Sequence, residues 1–138
     1  MPPVDTVLTS FRPRFKLGRQ GAPRLDLAVQ QLAVIETDEG VATLELDLLN
    51  WQAEGSGGAV GYAFEDEALF GLGTDIEASV GADSPVTIFK GRVHAIEGVF
   101  GEAEPPRLIV LAEDRSAALR LQRRSARYTS QTASSVVR

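Results

Sequence analysis

The chain of 138 residues contains no cysteine, and histidine, tryptophan and methionine occur once each. The missing thiols exclude disulfides, thiolate nucleophiles and every metal site that needs a cysteine ligand, although they leave the redox compartment open. A lone histidine, His94, cannot build a zinc site without carboxylate partners at readable spacing, and no G-x-S-x-G elbow accompanies it as a triad partner. No run approaches the roughly 18 to 20 apolar residues of a membrane-spanning helix, and the opening MPPVDTVLTSFRPRF lacks the apolar stretch of a signal peptide. The expectation is a soluble chain made in the cytoplasm, of a size that buries one core without a metal or disulfide staple.

Charge is what the sequence distributes unevenly. The net charge is −5, yet the residues before Arg107 carry 17 acids against 7 bases, whereas those from Arg107 onward carry 2 acids against 7 bases. A chain so divided is suited to head-to-tail self-association or to docking a charged partner.

Hydrophobic periodicity points to strands. Pro2, Pro3 and FRPRFKLGRQGAPR read as an irregular N-terminal arm over residues 1–23, because proline cannot donate to a central ladder. In LDLAVQQLAVIETDEGVATLELDLLNW, Leu27, Val29, Ala33 and Ile35 share one parity. Ala42, Leu44, Leu46 and Leu48 share another, and Asp38-Glu39-Gly40 lies between the runs, which is a hairpin pattern. Residues 53–73 show no sustained period and read as a long acidic, glycine-rich loop with a turn near Phe70. Ile76, Ala78 and Val80 then predict a strand, Gly81 to Pro85 a turn, and residues 86–100 and 107–112 two further strands joined by GEAEPP. Helix signals come late: Asp114 can cap RSAALRLQRR, and Thr132 can cap a second helix that starts as the sequence stops. The expected class is therefore mainly β (α+β), with one or two short helices near the C-terminus.

Each candidate site has a plain alternative. Gly55, Gly57, Gly58 and Gly61 share their composition with phosphate-binding loops, but no Gly-Lys-Ser/Thr follows and no helix opens after them, so they read as a flexible loop. Glu65, Asp66 and Glu67 read as a solvated acidic loop. His94 falls with Lys90 and Arg92 on the parity opposite Phe89, Val93 and Ala95, and reads as a surface or interface residue of a strand. Arg115, Arg120, Arg123, Arg124 and Arg127 form a basic cluster beside Tyr128. Phosphate contact by this cluster is disfavoured by the acidic chain (pI ≈ 4.9) and by the lack of interleaved aromatics, whereas docking on an acidic neighbouring surface fits both. No catalytic, metal or cofactor site is expected.

The order of these features is similar to the N-terminal part of the phage late control D family. These are baseplate hub proteins of contractile tails, related to the hub portion of the valine-glycine-repeat spike proteins of type VI secretion and to hubs of extracellular injection systems. The resemblance covers most of residues 24–138. It is carried by the hairpin ending in LDLLNW, by Phe89-Lys90-Gly91-Arg92-Val93, and by Ala112-Glu113-Asp114-Arg115 through Arg127 to Thr132, Ser135 and Val136.

It implies a β-barrel-like, tail-tube-type domain acting by assembly, without catalysis or cofactor. In the family, full-length subunits form a trimeric ring that adapts tail tube to spike, so the implied partners are further copies, a tail tube protein and a spike protein. The implied destination is a virion tail or phage-tail-like particle. Members are much longer than this chain, so the resemblance implies that residues 24–138 are the first hub domain of a longer protein cut at Arg138. Gly91 would allow a bend or close approach in a barrel strand, with Lys90, Arg92 and His94 facing a lumen or neighbour, and Arg120, Arg123, Arg124 and Arg127 available for docking. The alternative reading of the same residues is a β-barrel binding module for single-stranded nucleic acid or saccharide.

Overall fold

A computed structural model describes residues 12–38, 40–54, 59–64 and 71–117. Among these residues nine strands and one helix occur in the order β1 (Arg14–Leu17), β2 (Gln20–Gly21), α1 (Pro23–Ala28), β3 (Val29–Ile35), β4 (Thr43–Leu49), β5 (Gln52–Glu54), β6 (Ala59–Gly61), β7 (Asp75–Val80), β8 (Val86–Val99) and β9 (Arg107–Asp114). Seven strands form one antiparallel sheet in the order β2-β1-β7-β8-β9-β4-β3, and β5 and β6 form a separate hairpin. The protein is mainly β, and its large sheet is open: β2 and β3 are its two edges, with no pairing between them.

The sheet curls around α1, which packs against both β1 and β4 although three strands separate them. Leu25 of α1 is fully buried there among Phe15, Leu44, Leu46, Leu48, Ile76, Ala78, Phe89, Val93, Val110 and Ala112. Strand alternation builds this core: Leu44, Leu46 and Leu48 point inward while Thr43, Glu45 and Asp47 point outward. Truncating any one of these buried leucines to alanine costs about 2–5 kcal/mol, since the hole is only partly refilled.

Five expectations need correction. The N-terminal arm is not irregular over its described part, because RFKL alternates and puts Phe15 at 1% exposure, while Pro13 and Pro23 flank the strands rather than interrupt them. The first helix comes early. Pro23 at its start supplies a preset helical φ and Asp26 lies in its first turn. Leu27 therefore belongs to this helix and is 73% exposed, not part of a strand face.

The inward parity of β3 also differs from the pattern read in sequence. A bulge between Val29 and Gln31 inserts Gln30, so Leu32 and Val34 follow Val29 onto the core face and Ile35 is left outside. Likewise a bulge between Val93 and Ala95 turns Ala95 away from the core and brings Ile96 in. Finally, the loop read over residues 53–73 overlaps the β5–β6 hairpin, in which Gln52, Ala53 and Glu54 pair with Gly61, Val60 and Ala59.

Asp114 does cap the turn that follows β9. Its Oδ1 accepts the Ser116 N–H at 2.7 Å and its Oδ2 the Ala42 N–H at 3.1 Å. The helices expected beyond it lie outside the described residues.

Candidate functional site

The outer face of β8 follows directly from its alternation. Phe89, Gly91 and Val93 are buried, so Lys90, Arg92 and, at the bulge, His94 are exposed together. Each meets an acid from a neighbouring strand. Register sets Lys90 opposite Glu77 and Arg92 between Asp75 and Glu113. Lys90 Nζ lies 3.8 Å from Glu77 Oε2, Arg92 Nε donates to Asp75 Oδ1 at 2.8 Å, and His94 Nε2 lies 3.8 Å from Glu113 Oε1. Arg115 approaches the other Asp75 oxygen at 3.8 Å.

The hydrogen bond from Arg92 holds the Asp75 carboxyl below its ordinary range against slight desolvation, and the charges of Arg92 and Arg115 add to this. These pairs are solvent-exposed, so they add little to stability and instead give the face an alternating charge pattern. The three residues expected to act together on this strand are thus side by side, each with a carboxylate partner. Arg120, Arg123, Arg124 and Arg127 lie outside the described residues.

A second surface, at the end of the sheet where β4 and β8 finish, was not apparent from sequence. Asn50 is buried; its N–H donates to the Pro106 carbonyl at 2.9 Å and its side-chain oxygen accepts the Phe64 N–H at 2.9 Å. Arg24 reaches across from α1, donating to the Ala63 carbonyl and standing 5.7 Å from the Phe64 ring centroid. Together they pin the chain after β6 onto the core. That leaves Trp51, Val60, Tyr62 and Phe100 exposed in the same region, with Tyr62 and Phe100 edge to face. The signal available in sequence was Asn50-Trp51, a polar residue and a large aromatic directly after an apolar strand.

Where the open sheet fails to close, a cleft of ≈ 450 Å³ runs beside β3, lined by Arg12, Asp26, Leu27, Gln30, Gln31 and Val80, among others. On the far side of this gap the β1 backbone is already occupied, since Phe15 N–H donates to Asp26 Oδ1 and Phe15 C=O accepts from Ala22 N–H, both at 2.8 Å. Between β4 and β9, Arg107 pairs with the largely covered Asp47 carboxylate, whose Oδ1 has no hydrogen-bond partner among the described residues.

Among the described residues no group of three or more metal-ligating side chains converges, and no helix is long and apolar enough to cross a membrane. No protein-family model matches the chain, and no curated protein matches it.

Proposed function

We propose that this chain is a structural assembly domain, the first tube-like domain of a baseplate hub in a contractile phage tail or a phage-tail-like injection or secretion machine. The observation that carries the reading is the β3 edge. Val29–Ile35 reads VQQLAVI, seven residues without a charge or proline, and no strand among those described pairs with its outer side. Monomeric proteins blunt such edges with lysine, proline or a covering loop, because an open ladder recruits another chain. The opposite edge is protected: β2 has two residues, and α1 occupies the β1 backbone next to it. One open edge and one closed edge suit a subunit that joins neighbours in a fixed direction. The bulge at Gln30 confines regular pairing to Gln31–Ile35.

In this reading the chain works by assembly rather than catalysis, and it is trimeric in the full-length protein. Its partners are tail tube and spike proteins, and it ends in a virion tail or related particle. Sedimentation of the source lysate, probed with antiserum to this domain, tests it. Co-sedimentation with large particles, as part of a longer polypeptide, is the expected result. A chain of about this length near the top of the gradient, under particle-inducing conditions, would overturn it.

A second reading, a β-barrel binding module, draws on exposed Trp51, Tyr62 and Phe100, since aromatic faces stack on bases and sugars. Exposed Glu102 and Glu104, close behind Phe100 in sequence, disfavour a polyanion, which leaves a neutral saccharide as the ligand of that alternative.

A further inference from the structure

We propose that the aromatic pole formed by Trp51, Tyr62 and Phe100 receives the Arg120–Tyr128 segment of a second copy of this chain, so that copies associate head to tail. The proposal rests on the assembly reading and adds to it a surface and an occupant. The Gln52–Gly61 pair places Trp51 and Tyr62, the next residue outward on each strand, side by side. Tyr62 meets Phe100 with ring centroids 5.9 Å apart and planes at 82°. Phe100 can fold back over β8 because Gly98 has no side chain; a Cβ there would stand 2.8 Å from its ring. Trp51 is nonetheless 48%, Tyr62 42% and Phe100 67% exposed.

Glu102 and Glu104 follow Phe100 in the exposed β8–β9 connection. Aromatic faces rimmed by carboxylates are the chemistry that takes up an arginine-rich peptide, because a guanidinium stacks on a ring while its N–H groups reach an acid. Arginine and aromatic anchors also dominate the energetics of protein interfaces.

The chain itself carries such a peptide. Arg120-Leu121-Gln122-Arg123-Arg124-Ser125-Ala126-Arg127-Tyr128 holds four arginines and no acid. Strand direction sets the exit of β9, which leads into this segment, apart from the aromatic pole. β9 begins at Arg107, opposite Leu49 and Val99 at that pole, and runs eight residues to Asp114 opposite Gly91. At about 3.3 Å per residue the exit lies roughly 23 Å from the entry. The chain therefore leaves the sheet at the end remote from Trp51, and copies stacked in one direction bring the basic segment of one to the aromatic pole of the next. Such a contact joins unlike surfaces. The division of charge selects this occupant, with net +5 from Arg107 onward against −10 before it.

The test uses the whole chain in sedimentation equilibrium at low and raised ionic strength, with the emission of Trp51, the sole tryptophan, followed in the same samples. Expected are concentration-dependent association, a blue shift of Trp51 on association, and loss of both as salt rises. Trp51→Ala with Phe100→Ser, and separately Arg123→Glu with Arg124→Glu, should each weaken association about tenfold or more. Adding Glu102→Arg and Glu104→Arg to the arginine variant should restore part of it.

If the chain associates and the aromatic variant binds as tightly as the parent, this site is overturned while the assembly reading stands. A chain that stays monomeric overturns the proposal, including the case in which Arg123→Glu shifts Trp51 emission within the monomer, which would place the segment on its own pole. Failure of the assembly reading itself is read separately, from the particle sedimentation.

Discussion

Gly91 of β8 lies directly against the backbone carbonyl of Glu113 in β9, with the Phe89 ring also close to the position a side chain would take. A Cβ at this position would overlap the carbonyl oxygen and stand 2.6 Å from Phe89 Cζ. The carbonyl is backbone and the Phe89 ring is buried, so the two strands must part locally to admit even a methyl group. Gly91→Ala is therefore expected to destabilise the fold by about 2–3 kcal/mol, as overpacking of a closed site does. A urea melt reads this as a lower midpoint with little change in slope. An unchanged midpoint would mean that the strands are not in close approach there.

Two leucines two positions apart separate the helical placement of α1 from a strand. Leu25 is fully buried and Leu27 is 73% exposed. Leu25→Ala should cost about 2–5 kcal/mol, and Leu27→Ala less than about 0.5 kcal/mol. In a β-strand, residues two apart share a face, so similar costs for the two would contradict the helix.

These leucines also mark how far the sequence is legible. The alternation of Leu44, Leu46 and Leu48 has a single interpretation and the structure follows it, and the order of the β7–β8–β9 meander follows the sequence too, although a bulge reverses the parity read for Ala95. The start of β3 is different, because a bulge adds one residue without any composition of its own, so every parity upstream of Gln31 shifts. The early strands were hidden by their length, four residues and two, flanked by prolines. The carboxylate partners of Lys90, Arg92 and His94 come from other strands, and cross-strand register is a property of the whole sheet rather than of any segment. The same holds for the aromatic pole, whose members are separated by as many as 49 positions between Trp51 and Phe100.

Acid should weaken the fold through Asp75 and Asp114. The hydrogen bond from Arg92 lowers the Asp75 pKa below its ordinary 3.8, and bonds from Ser116, chiefly its side chain, and from Ala42 lower that of Asp114 below the same value. A carboxyl whose folded pKa is depressed contributes its stabilisation in full above the unfolded value and loses it as pH falls through the folded one. Stability should thus be flat from neutral pH to about 5 as far as these two groups go, and decline below 3.8. Asp75→Asn and Asp114→Asn should each reduce the steepness of that decline in pH-dependent urea melts. Unaltered acid limbs in both variants would show that other carboxylates control it.

Asn50 ties three segments together, and its role depends on one acceptor. Asn50→Ala removes the oxygen that receives the Phe64 N–H and leaves that donor without its partner, at a cost of about 1–3 kcal/mol. Asn50→Asp keeps an acceptor in place and should recover part of the loss in thermal melts. Trp51 emission should change more in the alanine variant than in the aspartate variant, since the neighbouring residue is the one released. Equal stability of the two variants would show that the bond to Phe64 contributes nothing.

The open edge of β3 can be tested without disturbing the core. Ala33 lies on the outer face opposite Glu45 of β4, so a lysine at this position finds a carboxylate across the strand and should leave stability within about 0.5 kcal/mol of the parent. It also puts a charge on an edge that has none, the device by which sheet proteins discourage pairing with another chain. On the assembly reading proposed above, Ala33→Lys should therefore melt like the parent yet fail to enter particles when expressed in place of it. Lys16→Ala on β1, whose neighbouring edge is already occupied by α1 and β2, serves as the control and should enter them normally. If Ala33→Lys is incorporated as well as the control, β3 is not the edge through which the domain joins its neighbours.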